Sequence, residues 1–281
     1  MTTDSPDAAA RGPIAFIGGG NMARSLIGGL VAQGYSPGQI RVAEPVAGLR
    51  EALARDFGVA VFDEAEHAAR EAKVWLLAVK PQVMREVCTS LASAAQAGAP
   101  VVVSIAAGIT SAQLDRWLGG GRAVVRAMPN TPALIGEGVT GLFATPAADS
   151  AQRAAAEALL RACGPAVWID DESRMDAVTA VSGSGPAYVF LLAEAMQAAA
   201  ERQGLPTDTA ALLVRQTIAG AAAMLVQSGE APATLRTRVT SPGGTTQAAI
   251  EAFQAGGFEA LVDGAIDAAT TRGRALSAAN E

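Results

Sequence analysis

The chain has 281 residues, of which 50% are hydrophobic and 17% are charged. At about 150 residues per domain this length predicts two domains or one large one, and the apolar content excludes a mostly unfolded chain. A net charge of −6 and an aromatic content of 4% argue against a protein that binds nucleic acid through its phosphates or by stacking on its bases. We therefore expect no nucleic-acid partner.

Short apolar runs and helix-length segments alternate along the first 170 residues. Strands are predicted at Pro13–Ile17, Ile40–Glu44, Val59–Phe62, Val74–Val79, Pro100–Ile105, Ala123–Met128, Val139–Ala144 and Ala166–Ile169. Helices are predicted at Asn21–Gln33, Val46–Phe57, Pro81–Ala97 and Asp149–Cys163. Strands that are apolar almost throughout belong in a parallel sheet covered on both faces. Residues 1–170 are therefore predicted to form an α/β domain with a doubly wound parallel sheet of the Rossmann type.

Strand-like runs disappear after Asp170. Ala/Leu-rich segments of helix length follow at Ser173–Gln203, Thr207–Ser228, Gln247–Gln254 and Gly257–Ser277. Residues 171–281 are therefore predicted to form an all-α domain.

A glycine-rich turn follows the first predicted strand and opens the first predicted helix. Gly18, Gly20 and Ala23 give the spacing G-x-G-x-x-A, with Asn21 and Met22 at the start of the helix. Gly18 permits the tight turn, Gly20 lets a pyrophosphate approach the backbone, and the helix N-terminus favours phosphate charge. A glycine turn without a ligand is the lesser alternative in this strand–turn–helix context.

Glu44 ends the second predicted strand, where an acid accepts hydrogen bonds from the ribose of NADH and repels a 2′-phosphate. An ordinary solvated glutamate at a strand end is an equally weighted alternative. Arg41 and Arg50 keep NADPH open as the cofactor.

Two further segments stand at the ends of the fourth and fifth strands, where ligands of open α/β sheets bind. Small or turn-forming residues in these segments, 78–81 and 106–108, would let a cofactor pass over the backbone. If only one of the two segments were present, an ordinary loop after a strand would be the preferred interpretation. The predicted cofactor contacts are Ala78, Val79, Lys80, Pro81, Ala106, Ala107 and Gly108.

The helical half contains two polar loops, Ser182–Tyr188 and Ser241–Thr246. A Gly-Gly-Thr-Thr turn before a helix exposes N–H donors and hydroxyls that suit a small carboxylate. From spacing alone, an ordinary loop in which Ser or Thr caps the helix is the preferred interpretation. No histidine or lysine follows Lys80, so any chemistry in this half proceeds without those proton-transfer groups.

The remaining sequence features favour a cytoplasmic protein. Cys88 and Cys163 have neither disulfide-framework nor zinc spacing, so reduced buried thiols and no metal are expected. Residues 1–12 carry two Asp and no apolar run, unlike a targeting segment. No uninterrupted apolar stretch reaches the roughly 18 residues that span a bilayer, so no membrane partner is expected.

Six motifs follow one another from Ile17 to Glu251: IGGGNMA, AVKP, VVSIAAGIT, RAMPNTPALI, VSGSGPAYVF and VTSPGGTTQAAIE. Along nearly the whole chain they resemble the motifs of the pyrroline-5-carboxylate reductase family. The resemblance implies a Rossmann domain, a helical dimerisation domain, and hydride transfer from NADPH or NADH to 1-pyrroline-5-carboxylate, giving L-proline. It also implies a homodimer, with a higher assembly of dimers as a further state. Glu44-Pro45 departs from the Ser, Thr or Arg common after the second strand in this family, which puts NADPH preference in doubt.

The resemblance also implies roles for individual residues. Ser241 and Thr245 would anchor the substrate carboxylate, and the Thr246 hydroxyl would hydrogen-bond the ring nitrogen. Lys80 and Asn130 would lie beside the nicotinamide. The implied substrate contacts are Ser184, Glu230, Ser241, Gly243, Gly244, Thr245 and Thr246, with Thr246, Ser241 and Lys80 as the catalytic set.

The chemistry of an imine agrees with this resemblance. Reduction of a ketone creates an alkoxide and calls for a His or Lys acid, whereas an imine nitrogen can be protonated before hydride arrives. Absence of any lysine after Lys80 counts against the main enzyme alternative, a dehydrogenase of the β-hydroxyacid or 6-phosphogluconate type. A catalytically inactive nucleotide sensor or scaffold is the alternative from another class, and the intact loops argue against it.

Overall fold

The computed structural model describes residues 12–279, which form one eight-stranded sheet and twelve α-helices. The strands are β1 Ile14–Ile17, β2 Ile40–Ala43, β3 Ala60–Phe62, β4 Val74–Leu77, β5 Val101–Ser104, β6 Ala123–Met128, β7 Thr140–Ala144 and β8 Ala166–Trp168. The helices are α1 Asn21–Ala32, α2 Ala47–Phe57, α3 Ala65–Ala69, α4 Pro81–Gly98, α5 Ser111–Trp117, α6 Ser150–Leu160, α7 Met175–Val178, α8 Gly185–Arg202, α9 Thr207–Ser228, α10 Pro232–Arg238, α11 Thr245–Ala255 and α12 Phe258–Ala279. The predicted absence of a targeting segment concerns residues outside this range, apart from Gly12.

The sheet has the order β3-β2-β1-β4-β5-β6-β7-β8, and β1 to β6 are parallel. The chain reverses direction across the sheet between β1 and β4, which is where such sheets bind ligands. The predicted Rossmann-type fold is confirmed, with one difference: β7 runs antiparallel to β6. The connecting segment 129–139 holds only the 3-10 turn Thr131–Ile135, and a parallel crossover usually needs a longer, helical connection.

Hydrophobic side chains cover both faces of the sheet. Phe16 packs with Leu26 and Leu30 of α1 on one face, whereas Ile17 packs with Leu91 of α4 and Trp117 of α5 on the other. All four residues of β1, of β4 and of β5 are buried. The apolar strand sequences thus reflect helices on both sides, as expected.

Three short helices were not predicted from the sequence. Helices α3, α5 and α10 are five to seven residues long, which is too short for a helical periodicity to stand out. Helix α5 does carry a local signal, because Thr110 and Gln113 form a reciprocal capping box at its N-terminus.

The segment predicted as one helix over Ser173–Gln203 is broken before α8. A 3-10 turn and the short helix α7 lead into a π-helical turn at Thr179–Gly183. Gly183 is pressed against β6, since a Cβ there would lie 2.6 Å from Met128 Cε. Single π-helical turns occur frequently at functional sites.

The described chain divides into two compact units, residues 12–184 with 269–279, and residues 185–268. In the first unit, buried Arg126 of β6 lies 3.4 Å from a Glu172 carboxylate oxygen and 3.2 Å from one of Asp176. Gly273 of α12 backs onto Asp176, and the Gln113 side chain donates to the Ser277 carbonyl at 3.0 Å. These contacts attach residues 172–176 and the end of α12 to the sheet, whereas the sequence predicts a domain boundary at 170/171. The last strand does end just before residue 170. The domain boundary at 170/171 stays a prediction.

The second unit leaves most of its apolar side chains exposed. None of the described side chains of α8 is buried, and in α9 only Ala210 and Val214 are. The most exposed are Phe190, Leu191, Leu212, Val226 and Leu261. Within residues 12–279, α9 is also the helix whose length and composition would allow it to cross a membrane.

Candidate functional site

The glycine-rich turn takes the shape that its sequence predicts. Gly18 has φ +103°, and a Cβ there would lie 2.8 Å from the Ala78 carbonyl oxygen. The Gly18 N–H donates to the Ala43 carbonyl at 2.8 Å, and the Ala78 N–H to that of Ile17. The structure therefore brings together the ends of β1, β2 and β4, and only glycine fits at their meeting point.

Gly20 of the same turn has open space beside it, whereas Gly18 is in close contact with the backbone of Ala78. A Cβ added at Gly20 would meet no atom of the described residues within 4 Å, and Gly20 is exposed. It is the N-cap of α1, and no side chain of residues 12–279 caps this helix. The first-turn N–H groups, including those of Asn21 and Met22, thus adjoin open space that suits a dinucleotide pyrophosphate.

Glu44 is buried rather than solvated at the strand end, with a relative exposure of 7%. One carboxylate oxygen accepts from the Gly19 N–H and the other from the Val46 N–H, both at 2.9 Å. The alternative of an ordinary solvated strand-end glutamate is therefore wrong. The predicted NADH preference, which depends on this residue, stays a prediction.

The two arginines near Glu44 both bond to backbone carbonyls. Arg41 donates to the Ala68 and His67 carbonyls and stacks on the Phe62 ring, so it is engaged beside β3. Arg50 donates through Nη1 to the carbonyls of Glu44 and Pro45, at 2.8 and 3.0 Å. Arg50 thereby lies on the loop that follows β2.

The segment after β4 starts helix α4. Lys80 is the exposed N-cap, and Pro81 occupies the first helical position, where proline's missing N–H costs nothing. Ala78 and Val79 are partly buried against the core. Lys80 is the member of this segment whose charged group faces solvent.

The segment after β5 is held from two sides. The Ala106 N–H donates to the Ser104 hydroxyl at 3.3 Å, and Ala107 follows as the partly buried residue of the turn. Gly108 has φ +70°, and a Cβ there would lie 3.0 Å from Leu276 Cβ of α12. The end of α12 therefore packs on this predicted cofactor segment, which sequence spacing gave no means of foreseeing.

Asn130 uses both ends of its amide group within the protein. Its side-chain nitrogen donates to the Ser182 carbonyl at 3.1 Å, and its oxygen accepts from the Val139 N–H at 3.0 Å. Asn130 thus ties the turn after β6 to the π-helical turn that ends beside Ser184, whose N–H bonds to the Thr179 carbonyl.

In the second unit, the Ser241–Thr246 loop starts helix α11. The helix begins at Thr245, two residues earlier than predicted, so Thr245 and Thr246 lie in its first turn. Gly244 is the N-cap, and no side chain among the described residues caps the helix. The loop in which Ser or Thr caps the helix is therefore not what forms, and the first-turn N–H groups remain available to a carboxylate.

The loop itself is fixed by its own backbone. Gly243 has φ +70°, and its N–H donates to the Gln247 side chain at 2.7 Å. The Gly244 N–H donates to the Ser241 carbonyl at 3.0 Å. Ser241 is exposed and Thr246 is partly exposed, so a ligand can reach this loop.

Glu230 lies just before α10 and forms an ion pair with Arg238 at 2.6 Å. This pair joins the two ends of α10, the helix that leads into the Ser241–Thr246 loop. The resemblance implied Glu230 as a substrate contact and gave no sign of its partner.

The residues that sequence reasoning missed are those that support the loops. Arg126, Glu172 and Asp176 are the clearest case, although a lone arginine in the apolar strand AVVRAM is a usable signal for a buried ion pair. Among residues 12–279 no group of three His, Cys, Asp or Glu side chains is placed to hold a metal.

Comparisons with known proteins cover both halves of the chain. Residues 172–276 match the family model described as pyrroline-5-carboxylate reductase dimerisation, and residues 13–108 match that described as NADP oxidoreductase coenzyme F420-dependent. Pyrroline-5-carboxylate reductase from Pseudomonas aeruginosa is 53% identical over 94% of this chain and 96% of its own length. That from Haemophilus influenzae is 46% identical over 94% and 97%.

Solved structures agree with the sequence comparisons. A pyrroline-5-carboxylate reductase from Coxiella burnetii aligns with a TM-score of 0.92 at 41% identity, covering 95% of this chain and 98% of that one. The Plasmodium falciparum pyrroline carboxylate reductase, solved with NADP bound, aligns with a TM-score of 0.82 at 27% identity, covering 94% and 98%. From these matches and the loops described above, the chain belongs to the pyrroline-5-carboxylate reductase family of NAD(P)H-dependent oxidoreductases that act on a cyclic imine.

Proposed function

We propose that this protein reduces the C=N bond of 1-pyrroline-5-carboxylate to give L-proline, the last step of proline biosynthesis. The observation that carries the proposal is the start of α11, where a glycine cap leaves first-turn N–H groups and two threonine hydroxyls free beside a fixed loop. A compact carboxylate with an adjacent ring nitrogen matches that set of donors.

The residues of the loop divide between binding and proton handling. Ser241 and Thr245, with the first-turn N–H groups of α11, hold the carboxylate. Gly243 and Gly244 line the same substrate loop, and their own N–H groups bond to the Gln247 side chain and the Ser241 carbonyl. The Thr246 hydroxyl hydrogen-bonds the ring nitrogen and orients the imine. Bound NADPH or NADH supplies the hydride that adds to the imine carbon. Because the imine nitrogen accepts its proton before that addition, a hydroxyl in place suffices and orientation provides most of the rate enhancement.

The proposed cofactor contacts belong to the first unit. The space at Gly20 and the first turn of α1 hold the pyrophosphate, and segments 78–81 and 106–108 flank the nicotinamide half. Lys80 and Asn130 are assigned to the nicotinamide end. Ser184 and Glu230 are assigned to the substrate pocket.

We assign a cytoplasmic homodimer built from the helices after residue 170, with association of dimers into a larger assembly as a further state. The exposed apolar side chains of α8 and α9 support this, because a self-complementary two-fold interface would bury them. Light scattering at low micromolar concentration tests it. Binding to phosphatidylcholine vesicles instead would indicate that α9 meets a membrane.

The direct test is a spectrophotometric assay. Oxidation of NADH and of NADPH is followed at a series of 1-pyrroline-5-carboxylate concentrations, with L-proline identified as the product. Oxidation that requires the pyrroline acid is expected with at least one cofactor. Purified dimer that binds the cofactors and yields no proline would refute the proposal.

A further inference from the structure

The carboxylate of Glu44 lies beneath the glycine-rich turn. The Gly19 N–H donates to this carboxylate. Gly19 also packs on the Glu44 side chain, since a Cβ at Gly19 would lie 3.1 Å from Glu44 Cβ. The other carboxylate oxygen holds Val46, the N-cap of α2. One side chain therefore connects the phosphate-binding turn to the loop after β2.

The burial of this charge needs a physical explanation. Within the described range no ion pair includes Glu44, and an unpaired buried carboxylate is costly. Two backbone N–H groups bond to it, and it lies beside the starts of α1 and α2, whose positive ends favour a negative charge. Hydrogen bonds to a charged acceptor are stronger than neutral ones, so the pair of bonds holds both backbone segments in place.

We propose that Glu44 is a positioning residue that fixes the glycine-rich turn for the cofactor pyrophosphate, and that it does not discriminate between NADH and NADPH. The inference rests on the proposed use of a nicotinamide dinucleotide. The pyrophosphate is common to both cofactors, so loss of Glu44 weakens both to the same extent. An acid that faces the ribose would act differently, because its loss would weaken NADH and relieve the repulsion of the 2′-phosphate.

The two roles separate in a binding experiment without substrate. Dissociation constants of NADPH and NADH are measured by fluorescence titration for the wild type, Glu44→Ala and Glu44→Gln. We expect both constants to rise by about tenfold, the effect of losing one strong hydrogen bond, with their ratio unchanged within about twofold. Gln retains one acceptor oxygen and presents N–H donors to the second backbone N–H, so it does not restore the turn.

Glu51→Gln is the matched control. Glu51 is an exposed residue of α2, so this variant removes the same charge near the same loop and leaves the turn untouched; its constants should equal those of the wild type. Hydrogen–deuterium exchange of the cofactor-free protein gives a second measurement. We expect faster exchange in peptides containing Gly19 and Val46 in both Glu44 variants, and no change in Glu51→Gln.

A ratio that moves about tenfold toward NADPH in the Glu44 variants would overturn the proposal. Unchanged constants would do so as well, and so would unchanged exchange at Gly19 and Val46 in the Glu44 variants. A wild type that binds both cofactors and does not reduce the pyrroline acid would refute the proposed function alone.

Discussion

The two units of the chain handle their apolar residues in opposite ways. In the first unit, which contains the sheet and is called the sheet unit below, the largest side chains, such as Trp75 and Phe16, are fully buried. In the second unit, residues 185–268, called the helical unit below, Phe190 and Val226 are mostly exposed. Both units are equally rich in hydrophobic sequence, so composition does not explain the contrast. The sheet unit encodes its own core, and the helical unit encodes an exposed apolar surface that we propose pairs with a second chain.

The largest expected effect concerns that surface. Leu212 of α9 is 63% exposed, and Leu212→Asp would place a charge in the proposed interface, where an unpaired charge is strongly destabilising. We expect the mass measured by light scattering to fall from twice the chain mass to the chain mass of 28.3 kDa, with loss of activity.

The matched control is Ser93→Asp on the exposed face of α4 in the sheet unit. It introduces the same charge at a site that is exposed to solvent in a monomer and outside the proposed interface of a dimer, so mass and activity should be unchanged. A wild type that is an active, well-folded monomer would show that the contrast between the units has another cause.

The next effect tests the chemistry of the helical unit. Thr246→Ala removes the hydroxyl assigned to the ring nitrogen, and kcat/KM should fall by about one to two orders of magnitude. NADH affinity should stay almost constant, because the proposed cofactor contacts lie in the sheet unit. Thr246→Ser keeps the hydroxyl and should recover most of the rate. Near-normal turnover in Thr246→Ala would remove this residue from the mechanism.

A smaller effect distinguishes two glycines of one turn in the sheet unit. Gly20→Ala adds a methyl group to open space, so we expect a normal melting temperature and cofactor binding weakened by about tenfold from intrusion on the pyrophosphate. Gly18→Ala instead forces a positive φ and a backbone clash, which should cost about 1–3 kcal/mol of folding free energy. Equal melting temperatures for the two variants would contradict this division of roles.

The smallest effect is an expected absence of reaction. Burial raises the pKa of the Cys88 thiol to about 12 and also raises that of Cys163. The reactive thiolate is therefore scarce at neutral pH and increases only as pH rises toward the folded-state pKa. Iodoacetamide at pH 8 should leave both thiols unmodified in the native protein by mass spectrometry, and should label both after unfolding. Rapid labelling of native Cys88 would show that its sheet unit opens readily.

Sequence patterns predicted the parts of the molecule that depend on local or periodic signals. These are the buried strands, the long helices and the glycine turn, whose Gly18 and Gly20 carry separate steric requirements. Patterns failed where tertiary contacts decide the outcome. Helix α3 is too short to show periodicity. The orientation of the Glu44 side chain depends on hydrogen bonds from two backbone N–H groups in different loops. The Ser241–Thr246 loop is intermediate, because its composition suggested a helix start and only the glycine cap showed which groups stay available.

The packing of residues 269–279 on the sheet unit has a consequence for synthesis on the ribosome. Domains generally fold as they emerge, from the N-terminus onward. Here Leu276 packs on Gly108 and Ser277 accepts a hydrogen bond from Gln113, so the predicted nucleotide-binding half contains residues that are translated after residues 185–268. A nascent chain that exposes every strand still lacks part of this half. The predicted cofactor segment at 106–108 can reach its final packing only after residues 185–268 have been translated, so the helices that we propose pair with a second chain emerge before this segment is complete.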